Sequence, residues 1–211
     1  MARRKHVKLA EAKDLPIIFD HSDALAKSKV AELLAVERPV VLELACGQGE
    51  YSCGLAPADP RSLYIGVDIQ GERLWAGAKK ALEKSLSNVY FLRADISQLE
   101  TFFPSQSVSE VWIVFPDPYP RLKQSKKRLT SKHFLSIYRK ILRPQGLLKL
   151  KTDNEDLFDY SVESLEKQGW KITKNIKNID AFSLEKGLEI QTYFEQKARK
   201  IGKKIHYLEA K

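Results

Sequence analysis

Apolar and polar residues fall along the chain in blocks that predict strands and helices in alternation. Over residues 22–36, Leu25, Val30, Leu33 and Leu34 recur at helical spacing behind Ser22, a candidate N-cap, and predict an amphipathic helix. Short apolar runs then predict strands at 40–44, 63–67, 89–92, 111–115 and 147–150. Helical patterns lie between and after them, near 71–85, 130–142 and 154–168. The runs at 40–44 and 111–115 are almost uninterrupted, as expected for parallel strands covered on both faces. Beyond residue 168 the pattern predicts a strand–loop–strand pair at 170–175 and 188–195. No repeat or low-complexity linker divides the 211 residues. A single α/β domain over 1–211 is therefore expected, built on a mostly parallel, doubly wound sheet that ends in an antiparallel strand.

Composition narrows the class. Hydrophobic residues at 43% and charged residues at 30% are those of an ordinary globular protein. No apolar run approaches the roughly 18 residues of a membrane span. The opening Met1-Ala2-Arg3-Arg4-Lys5-His6 lacks the apolar stretch of a secretory signal, so a cytoplasmic protein without membrane contact is expected. Cys46 and Cys53 are too few for a disulfide framework, and neither their spacing nor that of the four histidines suits a metal, so none is expected.

The net charge of +9 is concentrated rather than spread. Residues 3–8 carry four Lys or Arg, residues 121–132 carry six and residues 197–204 carry five, with no acid in any of the three stretches. Those 15 of the 36 basic residues leave 21 against 27 acids elsewhere. Local positive charge on an otherwise acidic chain points to a polyanionic partner. The basic segment 1–20 is read as a flexible arm.

Open α/β sheets bind ligands beyond the carboxyl ends of their strands. Acids and glycines gather there: Glu43 and Gly47 at the first strand, Asp68 at the second, Asp95 at the third, Asp117 at the fourth and Asp153 at the fifth. In Glu43-Leu44-Ala45-Cys46-Gly47-Gln48-Gly49-Glu50, Gly47 and Gly49 let the backbone turn sharply and approach a ligand. Asp68, about 20 residues on, can accept both hydroxyls of a ribose. This spacing fits nicotinamide dinucleotides and S-adenosylmethionine alike. Two features favour the second: Ser52 stands where a third glycine belongs, and Glu43 suits a sulfonium or amino-acid group better than a phosphate. Asp95 can meet an adenine amino group or cap the next helix, and Asp153 can act in the site or as a cap.

The segment Phe115-Pro116-Asp117-Pro118-Tyr119-Pro120 sets an acid and an aromatic ring on a proline-stiffened loop, and the basic run follows at once. A carboxylate and a ring can grip a nucleobase while the cations hold phosphates.

Together, Glu43 to Gly49, Gly66-Val67-Asp68, the Phe115 loop with the Arg121 to Arg128 run, Thr152-Asp153 and Thr192-Tyr193-Phe194-Glu195 resemble bacterial tRNA (guanine-N7-)-methyltransferases of the TrmB family. The resemblance spans about residues 38–200. It implies a Rossmann-like class I methyltransferase fold and methyl transfer from S-adenosyl-L-methionine to N7 of guanosine 46 in the tRNA variable loop, by a monomer or homodimer. It further implies cofactor contacts from Glu43, Asp68, Asp95 and Asp117, with Asp117 also catalytic. Substrate contacts are implied for Arg121, Asp153, Thr192, Tyr193, Phe194 and Glu195, and RNA contacts for Lys123, Lys126, Lys127 and Arg128. The chain departs from the family pattern at Ala45, in place of a glycine, at Tyr119, in place of Trp, and at Arg121, in place of Lys, whose geometry an arginine does not reproduce.

Three other readings compete. An enzyme methylating adenine N6 or a glutamine amide shares an Asp-Pro-aromatic element, but Asp117-Pro118-Tyr119 has one proline before the ring, and Phe115-Pro116 and the basic run fit the guanine class better. A nicotinamide-dependent oxidoreductase lacks a readable hydride-acceptor site. A non-enzymatic RNA-binding domain has no use for Glu43 and Asp68 together. If the basic clusters neutralise about five phosphates, tRNA affinity is expected to fall on the order of 100-fold between 50 and 200 mM salt, which filter binding across that range checks.

Overall fold

Strands with every side chain buried, such as Val40–Leu44 and Leu63–Asp68, require a layer of helices on each face, and this requirement shapes the molecule. A computed structural model of the chain describes residues 7–8, 10–12, 14–179 and 187–211. Its strands are β1 (Ile18–Asp20), β2 (Val40–Leu44), β3 (Leu63–Asp68), β4 (Val89–Arg93), β5 (Val108–Val114), β6 (Leu142–Thr152), β7 (Ile172–Ile176) and β8 (His206–Ala210). Its α-helices are α1 (Ala26–Leu34), α2 (Glu50–Leu55), α3 (Gly71–Glu83), α4 (Leu99–Phe102), α5 (Lys132–Ile141), α6 (Glu155–Lys167) and α7 (Tyr193–Lys200).

Among the described residues the strands form one sheet in the order β1-β4-β3-β2-β5-β6-β8-β7. The first six are parallel, and β8 runs antiparallel between β6 and β7. This is the Rossmann-like methyltransferase architecture expected from the sequence. Alternate residues of β2 feed opposite layers, Leu42 and Leu44 one, Val41 the other. The first layer packs Val30, Leu135, Phe158 and Leu165 from α1, α5 and α6; the second packs Tyr51, Leu74 and Ala198 from α2, α3 and α7. No helix among the described residues is long and apolar enough to cross a membrane.

The predicted elements up to residue 168 are present with shifted ends. Ser22 is not the cap of α1: its N–H and hydroxyl both donate to Asp20, and Leu25 occupies the cap position. Residues 18–20, placed by sequence in a flexible arm, pair with β4 as an edge strand. Of the same arm, residues 1–6, 9 and 13 lie outside the described residues.

The larger correction concerns 188–195, which is no strand. Thr192 caps α7, its Oγ1 accepting from the Glu195 N–H at 3.2 Å, so Thr-x-x-Glu here is the start of a helix. The β-branched and aromatic residues of this stretch imitate a strand pattern, while the cap decides the local structure. The partner of β7 is β8, which also pairs with β6.

An internal ion pair ties this C-terminal segment to the sheet. Lys151, near the end of β6, lies 2.7 Å from Glu195, and both side chains are fully buried. Lys151 also donates to the carbonyls of Leu188 and Ile190, at 2.9 and 3.0 Å, and Arg199 donates twice to the other Glu195 oxygen. Burial pushes the Lys151 pKa down and the Glu195 pKa up, while their mutual attraction opposes both shifts. Lys151→Met is expected to cost about 3 kcal/mol in a urea unfolding experiment, because it leaves the buried Glu195 Oε2 without its counter-charge.

Candidate active site

β2 and β5 are parallel neighbours, with Leu44 paired to Ile113, so both open onto the same rim of the sheet. Each leaves the sheet through a left-handed residue that is not glycine: Ala45 at φ 51° after β2, and Phe115 at φ 48° after β5. Tyr119 is a third, at φ 43°. Such conformations cost roughly 1 to 3 kcal/mol each and persist where the surroundings hold them. Here the Cys46 N–H donates to the Val67 carbonyl at 3.1 Å, and the Phe115 N–H to the Lys151 carbonyl at 2.8 Å.

The glycine loop is fastened from three sides. The Gly47 N–H donates to Asp68 Oδ2 at 2.9 Å, and Asp68 Oδ1 accepts from the Gln70 N–H at 2.8 Å. From below, α3 presents Gly77, where a Cβ would lie 2.3 Å from the Gln48 carbonyl oxygen; only a glycine lets the loop rest on that helix. Glu43 closes the third side. Its carboxylate accepts from the Ser52 N–H and Oγ–H, both at 2.7 Å, and from the Tyr51 N–H at 3.4 Å. Ser52, which interrupts the three-glycine pattern, is thus a donor to the buried acid.

The other acids differ in how they are engaged. Asp95, exposed after β4, accepts from the Ser97 Oγ–H and N–H at 2.6 and 2.8 Å and caps the short 3-10 helix Ile96–Gln98. These bonds hold its carboxyl below the usual range. Asp153 meets Lys203 at 2.6 Å, and Asn154 rather than Asp153 caps α6, accepting from the Leu157 N–H at 2.7 Å. Asp117 is exposed, next to the buried Pro116, and its carboxylate accepts no hydrogen bond among the described residues.

The basic run divides in two. Arg121, Lys123, Lys126 and Lys127 are exposed along the 3-10 helix Leu122–Lys127 and its cap, with Lys127 5.9 Å over the Tyr119 ring. Arg128 turns inward and is buried. At the C-terminal segment, the Tyr193 N–H donates to Glu50 Oε2 at 3.1 Å, which joins α7 to the first turn after the glycine loop. The Tyr193 and Phe194 rings meet edge to face at 5.7 Å and stay about half exposed. Glu195 is sealed off at 0% exposure, with Thr192 buried above it.

The structure therefore gathers Glu43, Gly47, Gly49, Asp68, Asp117 and the exposed Tyr193–Phe194 pair around the rim. Asp95 follows β4, two strands from β2. A cavity of about 270 Å³ lies elsewhere, at the opposite ends of β5 and β6, between Gln106, Arg139, Leu142 and Trp170. Sequence reasoning missed Lys151 and Gly77; for Gly77 a signal was available, a glycine in the middle of a predicted helix.

A family model described as "Putative methyltransferase" matches residues 37–208. Proteins named tRNA (guanine-N(7)-)-methyltransferase from Porphyromonas gingivalis and Christiangramia forsetii are 43% and 41% identical to the chain. They match over 82% and 83% of it and 70% and 79% of their own lengths. One of the same name from Cytophaga hutchinsonii is 36% identical over 99% of this chain and 97% of its own. The chain belongs to the tRNA (guanine-N(7)-)-methyltransferase family.

Solved structures agree on the fold. An antibiotic-related methyltransferase superposes with a TM-score of 0.66 at 20% identity, covering 90% of this chain and 94% of that one. A SAM-dependent methyltransferase from Aquifex aeolicus gives 0.57 at 15% identity, covering 96% and 97%. In this family member the Glu43 carboxyl is pushed up from 4.5 to about 7 by burial, against the pull of the Ser52 and Tyr51 donors. The folded chain keeps that proton over a range where the unfolded chain has lost it, so this group's contribution to stability falls as pH rises from about 4.5 through about 7. Thermal denaturation should accordingly show a shallower loss of stability from pH 5 to 8 in Glu43→Gln than in the parent.

Proposed function

We propose that this protein transfers a methyl group from S-adenosyl-L-methionine to N7 of guanosine 46 in the variable loop of tRNA. The observation that carries the reading is the meeting, on neighbouring parallel strands, of a fastened glycine loop and an exposed Asp117 on a strained loop that runs into four exposed cations. Family membership and the names of its relatives support the same reading.

The residues present fit this methyl donor. A Cβ built on Gly47 finds no neighbour closer than the Arg73 side chain at 4.0 Å, so the loop has open space before it. Each Asp68 oxygen accepts one backbone N–H and keeps a lone pair for a ribose hydroxyl. Glu43 acts from behind the loop, holding its turn and supplying negative charge when ionised. Asp95 stands at the adenine end. When bound, S-adenosylmethionine supplies an electrophilic methyl group on its sulfonium.

Guanine N7 already carries an exposed lone pair, so no proton need be removed before it attacks. The protein's work is then to place that nitrogen in line at roughly 3 to 3.5 Å. Asp117 accepts hydrogen bonds from the guanine N1–H and amino group and offsets positive charge developing on the ring. Tyr119 offers a stacking face, and the half-exposed Tyr193 and Phe194 close the same side. Thr192 and Glu195, being buried, serve the substrate side by fixing where those rings stand. Arg121, Lys123, Lys126 and Lys127 face phosphates, and Asp153 takes part through its pairing with Lys203.

Incubation of the purified protein with labelled S-adenosylmethionine and an unmodified tRNA transcript tests the reading. Strand cleavage at 7-methylguanosine should map to position 46; label in an exocyclic amino group would refute it. Asp117→Ala is expected to lower turnover at least about 100-fold while tRNA binding changes less than about threefold. Equal losses of both in a filter-binding and single-turnover comparison would reduce the loop to a docking element.

A further inference from the structure

Arg128 ends a run of five Lys or Arg residues within eight positions, yet it alone among them is buried, at 6% exposure. Its Nε donates to the carbonyl oxygens of Pro118 and Tyr119, at 3.1 and 3.3 Å, and its Nη2 donates to the Tyr119 carbonyl at 3.1 Å. The guanidinium lies 4.3 Å over the ring of Tyr160, on α6. The chain beyond it is anchored to the same helix: Thr130 and Ser161 share a hydroxyl hydrogen bond at 2.7 Å, and Ser164 Oγ donates to the Thr130 carbonyl at 2.6 Å. One planar cation thus bridges a rigid helix and two consecutive carbonyls of the loop that carries Asp117. Tyr119, whose carbonyl receives two of the three bonds, is with Phe115 one of the two left-handed residues of that loop.

We propose that Arg128 is a positioning residue that holds the Asp117 loop in its strained conformation, and that it does not contact RNA phosphate. The proposal rests on the reading of Asp117 as the guanine-binding acid. A guanidinium offers several donors in one plane and stacks on an aromatic ring, whereas a lysine ammonium cannot do both in this geometry. At 6% exposure, with its Nε–H and one Nη2–H committed to loop carbonyls and its face on the Tyr160 ring, the guanidinium is withdrawn from a phosphate at the surface. It therefore contributes no counterion release on RNA binding. Its effect is exerted through the backbone of Pro118 and Tyr119, and its loss frees a residue with φ at 43° to relax and carry Asp117 out of line.

The test compares Arg128→Gln, Arg128→Lys and Tyr160→Leu with the parent and with Lys126→Ala and Lys127→Ala. Three readouts are taken: kcat and KM for tRNA, the salt dependence of tRNA binding, and the rate of tryptic nicking after Arg121 and Lys123. For Arg128→Gln we expect kcat to fall tenfold or more with KM within about twofold, an unchanged salt slope, and nicking at least about fivefold faster. Arg128→Lys should behave like the glutamine variant despite keeping its charge, and Tyr160→Leu should move the same readouts in the same direction by less. Each of the two lysine variants should instead lower the salt slope by about one unit. A slope lowered by about one unit in Arg128→Gln and restored in Arg128→Lys would overturn the proposal, as would unchanged nicking in both Arg128→Gln and Tyr160→Leu. Nicking needs no substrate, so a parent protein that fails to methylate tRNA would sink the proposed function while this arm still judges the clamp. Should Arg128→Gln not fold, Tyr160→Leu decides through nicking and kcat.

Discussion

The buried attraction between Lys151 and Glu195 is the interaction on which the assembled rim depends. Two opposite charges without solvent exposure are costly unless partnered: Lys151 has two carbonyls besides Glu195, and Glu195 has Arg199 on Oε1, while its Oε2 is left with the Lys151 charge alone. An apolar contact in the same place would tolerate sliding, whereas this arrangement has one satisfied register. It fixes the first turn of α7 against the end of β6, and the Tyr193 N–H then reaches Glu50 at the other side of the rim. The two half-exposed rings are thus carried by a helix turn tied to the sheet by the ion pair and to the glycine-loop side by the bond to Glu50.

Around that anchor, polar groups at the strand ends are satisfied almost everywhere. Glu43, Asp68, Asp95 and Asp153 each accept from named donors of the chain, and those contacts shape the glycine loop, a short 3-10 helix and the link to Lys203. Asp117 stands apart as an exposed acid that accepts no hydrogen bond among the described residues, on a loop whose Phe115 and Tyr119 are left-handed. Three of the six non-glycine left-handed residues among those described, Ala45, Phe115 and Tyr119, follow two adjacent strands, and such strain is the kind the rest of a fold sustains where a side chain must be presented at a fixed angle. The charge pattern follows the same division. Four cations of the run after Asp117 face outward, and the fifth has become part of the scaffold.

Elements whose identity depends on local burial were legible in the sequence. The apolar runs of β2 to β5 and the helical periods of α3, α5 and α6 carry their own signal, because covering both faces of a strand leaves no polar position for ambiguity. The acids too were legible, because ligands of open α/β sheets sit beyond the carboxyl ends of the strands, and Glu43, Asp68, Asp95, Asp117 and Asp153 fall at those ends. The segment 188–195 was misread because its β-branched and aromatic content and its Thr-x-x-Glu cap give opposite local messages. Ser52 looked like a missing glycine, and only its contact with Glu43 makes it a donor that the site needs.

By itself the sequence determined the class of fold, the order of its central strands and helices, and the family to which the rim loops belong, since periodicity and contiguous motifs record these within a few residues of each other. The tertiary structure alone decided that Arg128 faces inward, that Lys151 and Glu195 meet, and that β8 enters between β6 and β7. Each of those outcomes sets a polar group or a strand edge against a partner far along the chain. A charge reads the same in sequence whether water or a buried partner satisfies it, and only the packed interior distinguishes the two.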